Sequence, residues 1–193
     1  MKNAYLCTKD RIMRFEKILE NGRLWAVMYD GDSVNILEQL FTQWNDYQWL
    51  RDFFTRHADD LASFFHVTDI DRAVFDTVDD ANDLECLIMD LDPKANLDEL
   101  FRPLENTRLS EALLSREKAK GRYCTHASWL RLYAIRLESG RFILTGGAIK
   151  LTATMQEREH TLTELNRLNK VRDYLISQGI CDYNGFEEYH ENN

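Results

Sequence analysis

The stretch Trp129 to Thr152, WLRLYAIRLESGRFILTGGAIKLT, constrains the fold more than any other part of the chain. Two apolar arms flank Glu138-Ser139-Gly140, where Gly140 is free to take the positive φ of a tight turn. In the first arm Leu130, Leu132, Ala134 and Leu137 compete with Arg131, Tyr133, Ile135 and Arg136 for the two faces of a strand. In the second arm Phe142, Ile143, Leu144 and Ile149 form a nearly continuous apolar run, the pattern of a strand covered on both faces. The second arm is therefore expected to be central in a sheet. Gly146-Gly147 interrupts it, as at a bulge or a close backbone approach. If the arms pair as a hairpin, Arg131 and Lys150 fall near the same end of it.

What surrounds this hairpin must share its core. With 193 residues, 44% of them hydrophobic, the chain can bury one, and its length suits a single domain over 1–193 or a domain with a large insertion. Only 8 Gly and 2 Pro argue against disorder or a long linker. The formal charge is -9, so any nucleic-acid reading must rest on a local basic patch. The charge is uneven: 59–98 is rich in Asp and Glu, whereas 102–172 carries most of the basic residues. No apolar stretch is long enough for a transmembrane helix, and 1–24 lacks the apolar region of a signal peptide, so a cytoplasmic protein with no membrane partner is expected. Cys7, Cys86, Cys124 and Cys181 form no CxxC and are expected as free thiols; His126 beside Cys124 does not complete a metal site.

The N-terminal half reads as mostly helical. Met1 to Asn21 is a short strand or a helix ending at Asn21-Gly22, and Arg23 to Tyr29 is a strand. Apolar residues from Val34 to Phe54 recur at three- and four-residue steps, and Asn45-Asp46 stands where that helical region would divide. Leu61, Phe64 and Phe65 continue the apolar face. Thr68 or Asp69 caps a piece carrying Ile70, Ala73, Val74 and Val78, and Asp80 to Leu91 is expected as a further short helix closed by Pro93. The aromatics Trp25, Trp44, Trp49, Phe53, Phe54, Phe64 and Phe65 sit at core spacing rather than as a pocket lining. The carboxylates from Asp69 to Asp83 lack the loop pattern of a calcium site and fit caps and a solvated face.

Further on, Leu97 to Leu104 is a short apolar patch, 109–116 is ambiguous between helix and strand, and Glu117 to Tyr123 is basic and loop-like. Glu157 to Gln178 is a helix with Leu162, Leu165, Leu168, Val171 and Leu175 inward, ended by Gly179. Residues 182–193 make a short helix or a frayed tail. The chain holds no phosphate loop, nucleophile elbow, zinc-protease motif or kinase set, and no cofactor is expected. What remains is a basic set: Arg116, Lys118, Lys120 and Arg122 in a loop, Arg131 and Arg136 on one strand, and Lys150 after the next. Such a set could hold an anion or stabilise charge on a phosphate in transfer. Tyr133, on the face of Arg131, could stack on a base. The competing reading is a solvated strand face whose cations pair with the abundant carboxylates.

From Leu100 onward the order of pieces resembles the RelE/ParE/HigB superfamily of bacterial toxins. The corresponding text is LFRPLENTRLSEALLSR, then EKAKGR, the R-x-Y strand WLRLYAIRL, GRFILTGGAIKLT, and the helix after Glu157. The resemblance implies a small twisted, mainly antiparallel sheet with helices packed on one face and a closing C-terminal helix. The chain is then an α+β protein with a RelE-like core over 97–180 and a mostly helical insertion over 33–91. It further implies ribosome-dependent mRNA cleavage or gyrase inhibition, and an antitoxin partner, the product of a neighbouring gene, bound across the basic groove. By position Lys118 or Lys120 matches the loop lysines, Arg131 the strand arginine and Lys150 the basic residue after the central strand. His160 is the candidate for the residue that closes the site. The expected catalytic set is Arg131, Lys150 and Lys118, with Lys120, Arg122, Tyr133 and Arg136 binding substrate and no metal. The alternative on the same scaffold is a non-catalytic protein-binding or regulatory module.

Overall fold

The computed structural model describes residues 13–92, 94–104, 114–120 and 127–192. Strands β1 (Met13–Lys17) and β2 (Leu24–Tyr29) form a hairpin. Helices α1 (Ile36–Trp44), α2 (Tyr47–Arg56), α3 (Ala58–Phe65) and α4 (Ile70–Met89) follow, then the short α5 (Leu97–Leu100) and β3 (Arg102–Pro103). Strands β4 (Arg116–Lys120), β5 (Leu130–Glu138) and β6 (Arg141–Ile149) form a meander. A 3₁₀ turn at Met155–Glu157, α6 (Glu159–Ser177) and α7 (Tyr183–Glu191) close the chain. The sheet order is β1-β2-β6-β5-β4-β3; β2 and β6 run parallel and every other pair is antiparallel. This is an open, mostly antiparallel α+β fold.

Strand β6 lies between β2 and β5, as its nearly continuous apolar run predicts. Side chains alternate between two cores. Leu24, Ala26, Leu130, Leu132, Ala134, Phe142 and Leu144 pack with Leu37, Leu40, Trp44, Leu50 and Phe54 of the α1–α4 layer. On the other face Trp25, Val27, Tyr133, Ile135, Leu137 and Ile143 pack with Leu168, Val171 and Leu175 of α6 and Phe186 of α7. Helices therefore cover both faces, not the one that the toxin resemblance implies. The segment 33–91 supplies the second layer.

Asn45 and Asp46 divide α1 from α2; the Asp46 carboxylate accepts from Gln48 and Trp49 amides, and Asp69 caps α4 in the same way through the Arg72 amide. Helix α4 is continuous, against the expectation of a separate helix from Asp80. Its inward stripe of Ala73, Val74, Thr77, Val78, Ala81, Leu84 and Ile88 never loses phase, so Asp79-Asp80 is no boundary. The 117–120 segment is strand rather than loop. Glu117 and Ala119 turn inward while the cations turn the other way, and β5 supplies the ladder. Residues 183–191 are helical, with Tyr183 and Phe186 buried. No helix of the described residues is long and apolar enough to cross a membrane.

The glycine pair serves as both a bulge and a close approach. Tyr133 faces Gly146 while Ala134 faces Leu144, leaving Thr145 without a counterpart on β5. A Cβ on Gly146 would meet the Glu164 carboxylate of α6, and one on Gly147 would meet Leu40 of α1 and the Arg131 carbonyl. Both helical layers thus press on the sheet at this point.

Candidate functional site

Alternation places Arg116, Lys118 and Lys120 of β4 on the face that carries Arg131 and Tyr133 of β5. Lys118 lies opposite Tyr133, and Lys120 opposite Arg131. Lys150 joins them just past β6, where its amide donates to the Trp129 carbonyl at 2.8 Å. These six side chains line a cavity of about 500 Å³. Its far wall is Ala153 to Gln156 with Leu165 of α6, and Leu104 lies at the β4 edge.

Neutral acceptors hold the cations. Arg131 Nη1 donates to the Ser128 and Leu130 carbonyls, both at 2.7 Å. Lys118 Nζ donates to the Leu104 carbonyl at 3.0 Å. Lys150 Nζ donates to the carbonyls of Thr152 at 2.5 Å and Ala153 at 2.6 Å. Arg116 Nη1 donates to Asn169 Oδ1 at 3.0 Å. Among the described residues, none of the ion pairs involves Lys118, Lys120, Arg131 or Lys150. Burial, and next the Arg131 charge, pushes the Lys118, Lys120 and Lys150 ammoniums below the usual lysine range; Lys118 lowers Lys150 further. Burial lowers Arg131 too, although a guanidinium stays charged in a protein. Burial raises the Tyr133 phenol, which stays neutral and can donate. Its hydroxyl has no hydrogen-bond partner among the described residues. A cavity lined by five cationic side chains and one idle hydroxyl is chemically suited to an anion with several acceptor oxygens.

Five of the seven residues singled out from sequence meet here: Lys118, Lys120, Arg131, Tyr133 and Lys150. Arg136 does not. It lies an odd number of residues beyond Arg131, so it faces the other way and pairs with Asp98 at 3.0 Å. Arg122 lies outside the described residues, as do Cys7, Cys124 and His126. The Tyr133 ring is only 1% exposed, so it cannot serve as the stacking platform expected of it; it offers its hydroxyl instead. His160 is absent from the cavity lining, and its Nε2 lies 2.9 Å from the Ile149 carbonyl oxygen. Cys86 and Cys181 are free, and no group of three or more metal-binding side chains occurs among the described residues.

Sequence reasoning missed the far wall. Thr154 and Glu157 form a capping box, with Glu157 Oε1 accepting from the Thr154 amide at 2.5 Å and from its hydroxyl at 2.8 Å. The spacing T-x-x-E was the available signal. It also missed Glu164, which is 8% exposed and whose carboxyl burial pushes above the usual carboxylate range. Glu164 accepts from the Gly147 amide at 3.1 Å and pairs with Arg167 at 2.8 Å.

The fold and the cavity together define an α+β protein with a cation-lined pocket between a sheet face and its closing helix. No family model, curated protein or solved structure matches the chain.

Proposed function

We propose that this chain is a toxin-like RNA-binding protein whose cationic cavity receives a phosphodiester of mRNA and promotes its cleavage. The observation that carries the reading is the gathering of Lys118 and Lys120 of β4, Arg131 of β5 and Lys150 just past β6 around the idle Tyr133 hydroxyl, on a chain of net charge -9. In such a step the 2′-hydroxyl attacks the adjacent phosphorus and the bond to the 5′ oxygen breaks, leaving a 2′,3′-cyclic phosphate. In the proposed step one lysine accepts the 2′ proton, and a second, protonated lysine gives its proton to the 5′ oxygen as it leaves. Arg131 and Tyr133 donate to the non-bridging oxygens as charge builds on them.

The test is binding and cleavage of single-stranded RNA across a salt series, with Arg131→Ala and Lys150→Ala alongside, and growth arrest on induced expression. Affinity should fall steeply with salt, and both variants should lose cleavage and relieve arrest. A salt-independent affinity removes RNA from the reading.

A second reading has its own support. Lys118 and Lys150 already donate to main-chain carbonyls, and among the described residues neither a histidine nor a carboxylate lines the cavity, which favours fixed donors over proton carriers. On that reading the chain is a regulatory module that binds RNA, or an acidic segment of an antitoxin encoded beside it, without cleavage. Intact RNA recovered from a stable complex selects it.

A further inference from the structure

The far wall of the cavity is tied to the α1–α4 layer through one polar cluster outside the cavity. Arg158, which precedes α6, donates through Nε to Asp60 Oδ2 at 2.7 Å and through Nη2 to Asp60 Oδ1 at 2.5 Å. Asp60 on α3 is 8% exposed, and Arg158 occupies both its oxygens. The rings of His57, between α2 and α3, and His160, in the first turn of α6, lie 5.0 Å apart between centroids. Phe53 packs against both, at 4.5 Å and 5.2 Å. His160 also holds the Ile149 carbonyl, immediately before Lys150. The segment 150–158 therefore hangs between two fastenings, and it contributes Lys150, Ala153, Thr154, Met155 and Gln156 to the cavity.

We propose that His57 and His160 form a pH-sensitive clamp on this wall: when both rings take up protons they repel, the 153–158 segment loosens and the cavity loses affinity for anions. The clamp regulates the anion-binding cavity argued above, and its link to affinity rests on that reading.

The charged groups facing the two rings are Arg56 from the end of α2, Asp60 from α3 and Arg158 ahead of α6. Two of the three are cations. The one carboxylate is saturated by Arg158, and its Oδ2 stands 3.8 Å from His57 Nδ1. A doubly protonated pair would thus meet two guanidiniums against a single, already shared, negative charge. In keeping with that geometry, burial lowers both imidazoles below the usual histidine range; His160 lowers His57 further, Asp60 opposes the His57 shift, and the Ile149 carbonyl and then Asp60 oppose that of His160. Both rings are neutral at neutral pH, and the clamp holds there. It weakens as pH falls below the ordinary histidine value of about 6.5 and is lost through the lower folded values.

The experiment is amide hydrogen exchange of 153–158 in the full chain from about pH 7.5 to about pH 5, corrected for intrinsic exchange, with sulfate affinity measured in parallel. The wild type should show local opening that rises by about tenfold or more over this range, and the His57→Gln/His160→Gln variant should stay flat. Equal opening in both, or none in either, overturns the clamp. If the double variant does not fold, the wild type alone decides. Histidine and 153–158 amide resonances must then shift with one shared midpoint below about pH 6.5, and amides that stay put overturn the proposal. Failure to bind sulfate at neutral pH would count against the anion cavity, while the exchange data still judge the clamp.

Discussion

Lys120 and Arg131 stand directly opposite each other across the β4–β5 ladder. Like charges in register destabilise a sheet, by about 0.2–1 kcal/mol for a directly facing pair. Lys120 reaches solvent, which places this pair at the low end. Replacing Lys120 with Thr, which suits a strand, removes the repulsion. Urea unfolding should show a gain of about 0.3–0.5 kcal/mol, while affinity for single-stranded RNA falls several-fold. A variant that gains stability without losing affinity would show that Lys120 takes no part in binding.

Arg131 makes the sharper case. It sits at the centre of the cation array, and its charge enters the shifts of Lys118, Lys120 and Lys150. Arg131→Gln keeps donors near the Ser128 and Leu130 carbonyls but removes the charge. If one phosphate sits on Arg131, the slope of log affinity against log salt should shrink by about 0.7, the single-strand value per contact. Filter binding at several salt concentrations measures it. An unchanged slope moves the phosphate elsewhere.

The hairpin and the convergence of Arg131, Tyr133 and Lys150 were legible in the sequence because a two-residue period fixes which side chains share a face. The same period, applied from Arg131 to Arg136, separates them, and grouping the two by charge alone hid it. Strand β4 was unreadable as a strand because charged residues dominate REKAK; only the β5 ladder and the inward Glu117 and Ala119 make it one. The second helical layer followed from the spacing of Leu37, Leu40, Trp44, Leu50 and Phe54, but its place on the far side of the sheet from α6 is a tertiary fact. Local sequence carries no signal that His57 and His160, a hundred residues apart, would meet.

Glu164 gives a pH prediction whose sign is opposite to that of most carboxylates. Burial raises its carboxyl in the folded chain, with the Arg167 charge and the Gly147 amide opposing. The protonated form is therefore favoured on folding. Its contribution is complete below the unfolded value of about 4.3 and is lost as pH rises through the folded value. The difference in unfolding free energy between wild type and Glu164→Gln isolates this group from Asp60 and Glu157, whose carboxyls are lowered. As pH rises from about 4 to about 7, wild type should lose ground to the variant. A difference independent of pH would mean that Glu164 titrates alike in both states.

The two glycines of β6 should differ in what an added methyl does. A Cβ on Gly146 would stand 1.9 Å from Glu164 Oε2 and 3.1 Å from its Cδ. The carboxylate ends a flexible side chain, yet the Gly147 amide and Arg167 hold it, so Gly146→Ala should cost about 1–3 kcal/mol. A Cβ on Gly147 would stand 2.8 Å from the Arg131 carbonyl oxygen, 2.7 Å from Leu40 Cδ1 and 3.1 Å from the Trp44 ring. A backbone carbonyl within a paired strand cannot step aside without carrying Arg131 with it. Gly147→Ala should therefore cost more than about 3 kcal/mol and also weaken anion binding, whereas Gly146→Ala leaves the cations in place. Combining Gly146→Ala with Glu164→Ala should give a double-mutant coupling of about 1–2 kcal/mol in favour of the pair. Denaturant unfolding of the two glycine variants, Glu164→Ala and the double variant measures these costs. A Gly147→Ala protein as stable as Gly146→Ala would mean that β5 and β6 can part at this point without disturbing Arg131.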